Sequence, residues 1–246
     1  MKIIHLSDTH SKHRQVKWNF DPANADVIIA SGDLSNIGEE KELRDFFKWF
    51  TELPVKYKIA IAGNHDKAFD PKFWHDGGLD SDTHKRWIVG CEDYSKKIIE
   101  EFTSNENHFF LNHESCEIEG VKFFGSPWSA DFHSQYWAFN IPRGEESKKL
   151  YTQIPAGTNV LITHGPPFER LDITERGGYR VGCEELAARI KEIKPQAHLF
   201  GHIHEGYGHS FDGDTLYLNS SIMTIGYFPI NKPQVFELKD GVATLL

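Results

Sequence analysis

The feature that most constrains the fold is a short apolar run that leads directly into a turn of polar residues. The run Ile59–Ala62 predicts a buried strand, and Gly63–Asp66 forms the turn. Ligands of α/β proteins usually bind at the carboxyl ends of parallel strands, so this turn is a candidate site. It offers an amide that can bind a metal, an imidazole that can donate a proton and a carboxylate that can orient the imidazole.

The same combination of strand and polar turn recurs along the chain. Apolar runs predict strands at Lys2–Leu6, Asp26–Ala30, Asn159–Thr163 and Ala197–Phe200. After the second of these strands, apolar residues at helical spacing predict a helix over Gly38–Leu53. A strand, a helix and another strand form a βαβ unit, which implies parallel pairing in part of a sheet.

The remainder of the chain adds further helices and antiparallel strands. We predict helices over Asp93–Ser104, Glu145–Thr152 and Gly182–Ile193, and a hairpin over Ser115–Gly125. The chain has no internal repeat, low-complexity segment or linker. Residues 1–246 are therefore expected to form a single domain.

Two segments show no regular spacing of apolar residues that would predict a helix or a strand. Residues 67–92 either roof the site or cover a sheet edge, and the sequence leaves both alternatives open. Residues 126–144 form a long loop rich in Trp, Phe, Tyr and His, and such a loop is usually functional or strongly packed. Trp128, Trp137 and Phe139 in this loop could therefore line a substrate pocket, although buried packing is the more frequent role of Trp.

Residues that can bind a metal follow five of the predicted strands. The candidate metal ligands are Asp8, His10, Asp33, Asn64, His164, His202 and His204. Each of these residues by itself is common in a solvent-exposed loop without any function. That interpretation would, however, have to hold independently at five strand ends. Imidazoles mixed with carboxylates and an amide favour Mn, Fe or Zn over Ca or Mg. The sequence thus predicts two divalent metal ions, with Asp33 as the natural bridge between them.

Composition limits the partners and the compartment. The formal net charge is -9, which disfavours steering of a long nucleic acid. The three cysteines match neither a disulfide framework nor a zinc spacing, so free thiols in a reducing cytosol are expected. No signal peptide or membrane-spanning run is recognisable, which predicts a cytoplasmic protein without a membrane partner. The oligomeric state stays open.

Taken together, the motifs resemble those of the calcineurin-like metallophosphoesterase superfamily. In chain order they are Asp8-x-His10, Gly32-Asp33, Gly63-Asn64-His65-Asp66, His164-Gly165 and Gly201-His202-x-His204. Longer runs look like the metallophosphoesterase domain-containing (MPPED) subgroup: Gly125–Trp128, Trp137–Asn140, Thr163–Pro167, Arg180–Cys183 and Gly201–Gly208. The resemblance implies an α/β fold, a four-layer αββα sandwich of two mixed β-sheets flanked by helices.

The resemblance also implies a role for each site residue. One metal ion would be held by Asp8, His10, Asp33 and His204, and the other by Asp33, Asn64, His164 and His202. His65 would face the leaving group, and Asp66 would orient His65. Substrate contacts are expected from Asn64, His65, Trp128, His133 and Arg143.

The expected function is hydrolysis of a phosphoester. We favour a phosphodiesterase acting on small phosphodiesters such as cyclic or linear nucleotides, by attack of a metal-bridging hydroxide with His65 assisting the leaving group. A phosphomonoesterase or protein phosphatase with the same metal site is the first alternative. A nucleotide-binding protein without turnover is the second.

Overall fold

Two six-stranded β-sheets form the centre of the fold. The computed structural model describes residues 1–72, 90–132, 136–175 and 177–246. Its strands are β1 (Lys2–Leu6), β2 (Val27–Ser31), β3 (Tyr57–Ile61), β4 (His108–Phe110), β5 (Glu114–Ile118), β6 (Val121–Ser126), β7 (Ser129–Ala130), β8 (Asn140–Ile141), β9 (Val160–Thr163), β10 (Ala197–Phe200), β11 (Gly208–Phe211), β12 (Leu216–Asn219), β13 (Gln234–Lys239) and β14 (Val242–Leu245).

Both sheets combine parallel and antiparallel pairs. The first has the order β14-β13-β1-β2-β3-β4, in which β1 to β4 are parallel and β13 and β14 are antiparallel to their neighbours. The second has the order β11-β12-β10-β9-β6-β5, with a parallel centre and an antiparallel strand at each edge. The predicted hairpin is the pair β5 and β6.

Within the described residues, four α-helices cover the outer faces of the two sheets. They are α1 (Glu40–Glu52), α2 (Cys91–Thr103), α3 (Glu145–Tyr151) and α4 (Glu184–Ile193). Helix α1 begins with a capping box between Glu39 and Glu42, and its apolar face packs with α2 against the first sheet. Helices α3 and α4 pack against the second sheet through residues such as Tyr151 and Leu186.

The inner faces of the sheets pack on each other. Ile29 and Ile59 of the first sheet lie in one buried cluster with Ile162 and Leu199 of the second. Alternate strand residues, such as Ile28, point outward to the helices instead, as the period of a strand requires. The order of layers is therefore helix, sheet, sheet, helix, which confirms the four-layer prediction.

Local predictions and structure differ mainly at element boundaries. The loop at 126–144 contains the short parallel pair β7 and β8. Of segment 67–92, the structure describes a 3-10 helix at Lys67–Phe69 and the start of α2, while residues 73–89 lie outside the described part. None of the helices among the described residues is long and apolar enough to cross a membrane.

Candidate metal centre

The seven predicted ligands lie together where five parallel strands end. Three of these strands, β1, β2 and β3, belong to the first sheet, and β9 and β10 belong to the second. Main-chain hydrogen bonds join neighbouring turns, from Asp8 N to Gly32 O and from Gly201 N to His164 O, both at 3.0 Å. The amide of Ser7, just after β1, donates to Ser220 O at 2.9 Å. Ser220 directly follows β12, so this hydrogen bond links the two sheets.

The first ligand group consists of Asp8, His10 and His204. Its atoms lie within 4.8 Å of one another, a spacing at which one ion can contact all three. The Nε2 atoms of His10 and His204 are 3.3 Å apart, and His204 Nε2 lies 3.5 Å from Asp8 Oδ1.

The second ligand group consists of Asp33, Asn64, His164 and His202. His164 Nε2 lies 3.3 Å from Asp33 Oδ1 and 3.0 Å from Asn64 Oδ1. The same amide oxygen lies 2.8 Å from His202 Nδ1. This oxygen therefore faces two imidazole nitrogens, an arrangement that a shared cation would explain.

Asp33 lies between the two groups. One of its oxygens, Oδ1, faces His164 of the second group, and Oδ2 lies 3.6 Å from His10 Nε2 of the first group. A single carboxylate can therefore reach both groups. The geometry fits the bridging role that the sequence suggested for this residue.

The charge balance of the centre suits cations. Asp8 and Asp33 are 0% and 2% exposed, and in the described part of the chain their ionic partners are histidines rather than lysines or arginines. Buried carboxylates without compensating charge are costly. Burial alone would lower the pKa of His164, yet Asp33 beside it raises that pKa to about 9. The site thus attracts positive charge, and the N/O donor set fits divalent metal ions.

Main-chain contacts fix the orientation of two ligand rings. The Nδ1–H of His164 donates to Ser31 O at 2.9 Å, and that of His204 donates to Thr224 O at 3.0 Å. A donor at Nδ1 leaves the lone pair of Nε2 free for a metal. In both residues this Nε2 is the atom that faces the carboxylates.

Four of the candidate ligands have a strained backbone. Asp8, His10, Asp33 and His202 have φ angles of 55°, 40°, 51° and 67°, in the left-handed region that side chains disfavour. Such conformations cost about 1–3 kcal/mol each and persist where the surrounding structure enforces them. Four strained residues at one place indicate a functional site.

Two glycines of the motifs leave room for the ligands. A Cβ atom on Gly63 would collide with Asp33 and the ring of His164, and one on Gly201 would collide with Asp8 and Ser7. Glycine is needed at both positions because the ligand side chains pass directly over the main chain.

His65 lies at the edge of the centre. Its amide donates to Asp33 Oδ1 at 2.8 Å, and its ring Nδ1 lies 2.6 Å from Asn36 O, to which it can donate. The ring packs on Trp137, with centroids 4.1 Å apart, and meets the edge of His10 at 4.5 Å. One His65 nitrogen lies within 4.8 Å of ligand atoms of His10 and Asp33.

The predicted contact between Asp66 and His65 is wrong. The fully buried Asp66 carboxylate accepts hydrogen bonds from the amides of Gly63, Leu34 and Ser35 and from the Ser35 hydroxyl, at 2.7–3.1 Å. An Asp at the end of a tight turn readily bonds back to the turn amides. Asp66 therefore joins the turn after β3 to the turn after β2, and the Asn36 carbonyl orients His65 in its place.

The predicted substrate residues have different surroundings. Trp128 packs edge-on against Phe139 at 5.6 Å, and its carbonyl accepts a hydrogen bond from Tyr151, so its contacts are those of a core residue. Arg143 lies at a cleft beside His202. His133 lies outside the described residues.

Two aromatic residues at the centre, Phe132 and Tyr227, have no candidate role from the sequence, whereas Trp137 is one of the residues expected to line a substrate pocket. Trp137 covers His65, Phe132 packs on His202 at 5.5 Å, and Tyr227 meets His10 at 4.8 Å. Trp137 and Phe132 belong to the aromatic loop 126–144, whose composition was a signal of function or packing. Tyr227 follows no predicted strand, and no sequence signal pointed to it.

Comparison with known proteins agrees with this geometry. Residues 1–206 match the family model described as calcineurin-like phosphoesterase. Metallophosphoesterase domain-containing protein 1 of Homo sapiens is 36% identical, over 96% of this chain and 71% of that protein. A "probable cyclic nucleotide phosphodiesterase" of Xenorhabdus bovienii is 26% identical, over 71% of this chain and 96% of that protein.

A solved structure supports the fold. The protein TT1561 of Thermus thermophilus superposes with a TM-score of 0.62 and 13% sequence identity. The match covers 100% of this chain and 97% of that one. At this identity the likeness concerns the arrangement of helices and sheets.

Proposed function

Because the chain belongs to the calcineurin-like phosphoesterase family, we propose that it is a phosphodiesterase that hydrolyses small phosphodiesters, such as cyclic or linear nucleotides, with two bound divalent metal ions. The observation that carries the proposal is the pair of ligand groups joined by Asp33. The N/O donors make Mn, Fe or Zn the expected metals.

The ligand set divides naturally between two ions. Asp8, His10, Asp33 and His204 would hold one, and Asp33, Asn64, His164 and His202 would hold the other. When bound, two such cations supply an activated water at neutral pH and offset the negative charge of the phosphate. The strained turns and the oriented imidazoles hold the donors in place before any ligand arrives.

His65 is suited to assist the leaving group. Its Nδ1 is engaged with Asn36 O, which leaves Nε2 as the nitrogen that can donate a proton to a departing oxygen. General acid catalysis of this kind contributes about 10²–10⁴-fold to the rate. The packing on Trp137 fixes the plane of the ring.

Charge favours a diester over a monoester. A phosphate diester carries one negative charge, whereas a monoester carries up to two. The two arginines beside His202, Arg143 and Arg180, are both paired with carboxylates, so they offer no uncompensated charge for a second ionised oxygen. The name of the Xenorhabdus relative supports the same substrate class.

Substrate size and location follow from composition. The net charge of -9 argues against a long nucleic acid substrate, and we propose a small phosphoester instead. Cys116 and Cys183 are free thiols, which is in keeping with a reducing compartment such as the cytoplasm.

The test compares two esters of one leaving group. Protein stripped of metal and reloaded with Mn should hydrolyse bis(4-nitrophenyl) phosphate faster than 4-nitrophenyl phosphate. The variant Asp33→Asn should bind less metal by elemental analysis and lose activity, because it removes the charge that both ions would share. Faster monoester hydrolysis would instead indicate a phosphatase. No hydrolysis with two metals bound would favour the nucleotide-binding alternative.

A further inference from the structure

A cleft opens beside the second ligand group. Its volume is about 660 Å³, within the range of roughly 300–1,000 Å³ that is typical of small-molecule sites. His202 and Ile203 line it next to the metal centre, and Pro166 lines it as well. A substituent of a phosphate held at the centre can therefore extend into this cleft.

Two exposed aromatic side chains line the cleft. Phe132 is 41% exposed, and its ring packs on His202 with centroids 5.5 Å apart. Tyr179 is 70% exposed. Large exposed aromatic rings in a concave site are typical of surfaces that bind apolar or planar groups. Phe132 contacts a metal ligand directly, so a ring that packs on Phe132 lies beside the phosphate position.

The two arginines of the cleft, Arg143 and Arg180, are paired with carboxylates of the protein. The Arg143 guanidinium lies 2.6 Å from Glu184 and also donates to the carbonyls of Val181 and Gly182. The Arg180 guanidinium lies 2.7 Å from the buried carboxylate of Asp172. Both cationic groups are thus compensated within the protein, and a second phosphate in the cleft would gain little from either of them.

We propose that this cleft binds the organic substituent of the substrate as an uncharged planar ring that packs on Phe132, and that Phe132 sets the preference for such substrates. The inference rests on the proposed phosphodiesterase function and adds the chemical class of the group esterified to the phosphate. Substrates with a second phosphate, or with an aliphatic substituent, are disfavoured.

The test varies one substituent at a constant leaving group. Benzyl and cyclohexylmethyl 4-nitrophenyl phosphates differ in the planarity of a ring of similar size. Metal-loaded protein should show a kcat/KM that is about 2- to 10-fold higher for the benzyl ester, the range expected for an aromatic pair. Phe132→Ala should reduce this ratio to about 1, and Phe132→Tyr should retain it.

A matched control is available elsewhere on the surface. Phe211 in β11 is 60% exposed and is not among the described residues that line the cleft, so Phe211→Ala should leave the ratio unchanged. Calorimetric titration with benzyl phosphate and cyclohexylmethyl phosphate gives a readout that needs no turnover. The benzyl compound should bind more tightly than the cyclohexylmethyl compound to the parent protein, and the two should bind equally well to Phe132→Ala.

The outcomes separate the two proposals. If neither diester is hydrolysed, the phosphodiesterase proposal fails, and the calorimetric preference alone decides whether the cleft binds planar rings. Equal kcat/KM and equal affinity for the two substituents in the parent protein would overturn the role of the cleft. A preference that survives Phe132→Ala would overturn the role of Phe132.

Discussion

Replacing Trp137 by alanine tests how His65 is held in the centre. The two rings have centroids 4.1 Å apart at an angle of 30°, and the Lys67 ammonium lies 4.4 Å from the Trp137 ring. The alanine variant removes both contacts. The imidazole then keeps its hydrogen bond to Asn36 and its edge contact with His10.

The expected magnitude follows from these contacts. An aromatic pair contributes about 0.5–1.5 kcal/mol beyond burial. If this free energy holds the His65 ring in its productive orientation, its loss lowers the productive fraction by about 2- to 10-fold. The upper limit is the effect of removing His65, the proposed general acid, which is about 10²–10⁴-fold. We therefore expect kcat to fall by about 2- to 10-fold in Trp137→Ala, less than in His65→Ala.

The assay is steady-state hydrolysis of a phosphodiester, with the metal content of each variant measured in parallel. KM and metal content should change little in Trp137→Ala, because within the described residues the Trp137 ring reaches the ligand groups through His65. Trp137→Phe is the matched control, since it keeps an aromatic ring at the position and should recover most of kcat.

A double variant decides whether Trp137 acts through His65. In a His65→Ala background, removing Trp137 should cause no further loss, because the ring that it positions is absent. If the two losses instead multiply, or if Trp137→Ala releases metal, the reasoning is refuted. Trp137 would then stabilise the centre independently of His65.

Two further predictions concern stability. Gly201→Ala should destabilise the fold by about 1–3 kcal/mol, because its methyl group meets the Asp8 carboxylate and the Ser7 hydroxyl, and an unchanged melting temperature would contradict this. Burial lowers the pKa of His198 from 6.5 to about 3. The contribution of this neutral imidazole to the free energy of unfolding is therefore fully present above pH 6.5 and is lost as the pH falls towards 3. In urea unfolding, the free energy of unfolding of the parent should fall by about 2 kcal/mol more between pH 7 and pH 5 than that of His198→Gln. An equal fall in the two proteins would refute this.

The candidate ligands could be located from the sequence because they are local to the strands. An apolar run of four or five residues predicts a buried strand, and Asp33 and His164 follow within two residues of such runs. Parallel strands of one sheet end at a common edge, so residues that follow them are neighbours in space. The convergence of the two sheets at one edge came from the family resemblance rather than from any pattern of hydrophobicity.

The contacts that the sequence does not predict are those between separate loops. The sequence predicts that Asp66 contacts its neighbour His65, yet Asp66 bonds to Gly63 of its own turn and to Leu34 and Ser35, which lie some thirty positions earlier in the chain. The packing of Tyr227 on His10 joins opposite ends of the sequence. Such pairs depend on how separate turns dock, and neither residue type nor spacing encodes that docking.

Positive φ angles explain why the candidate ligands lie in turns directly after the strands. A strand that simply continued past the sheet edge would alternate its side chains between the two faces and separate them. At Asp8, Asp33 and His202 a positive φ angle ends the extended conformation within two residues of the strand end. Each of these left-handed conformations costs free energy. Cations bound to these donors, as in the proposed function, would supply compensating free energy, so metal loading should stabilise the fold.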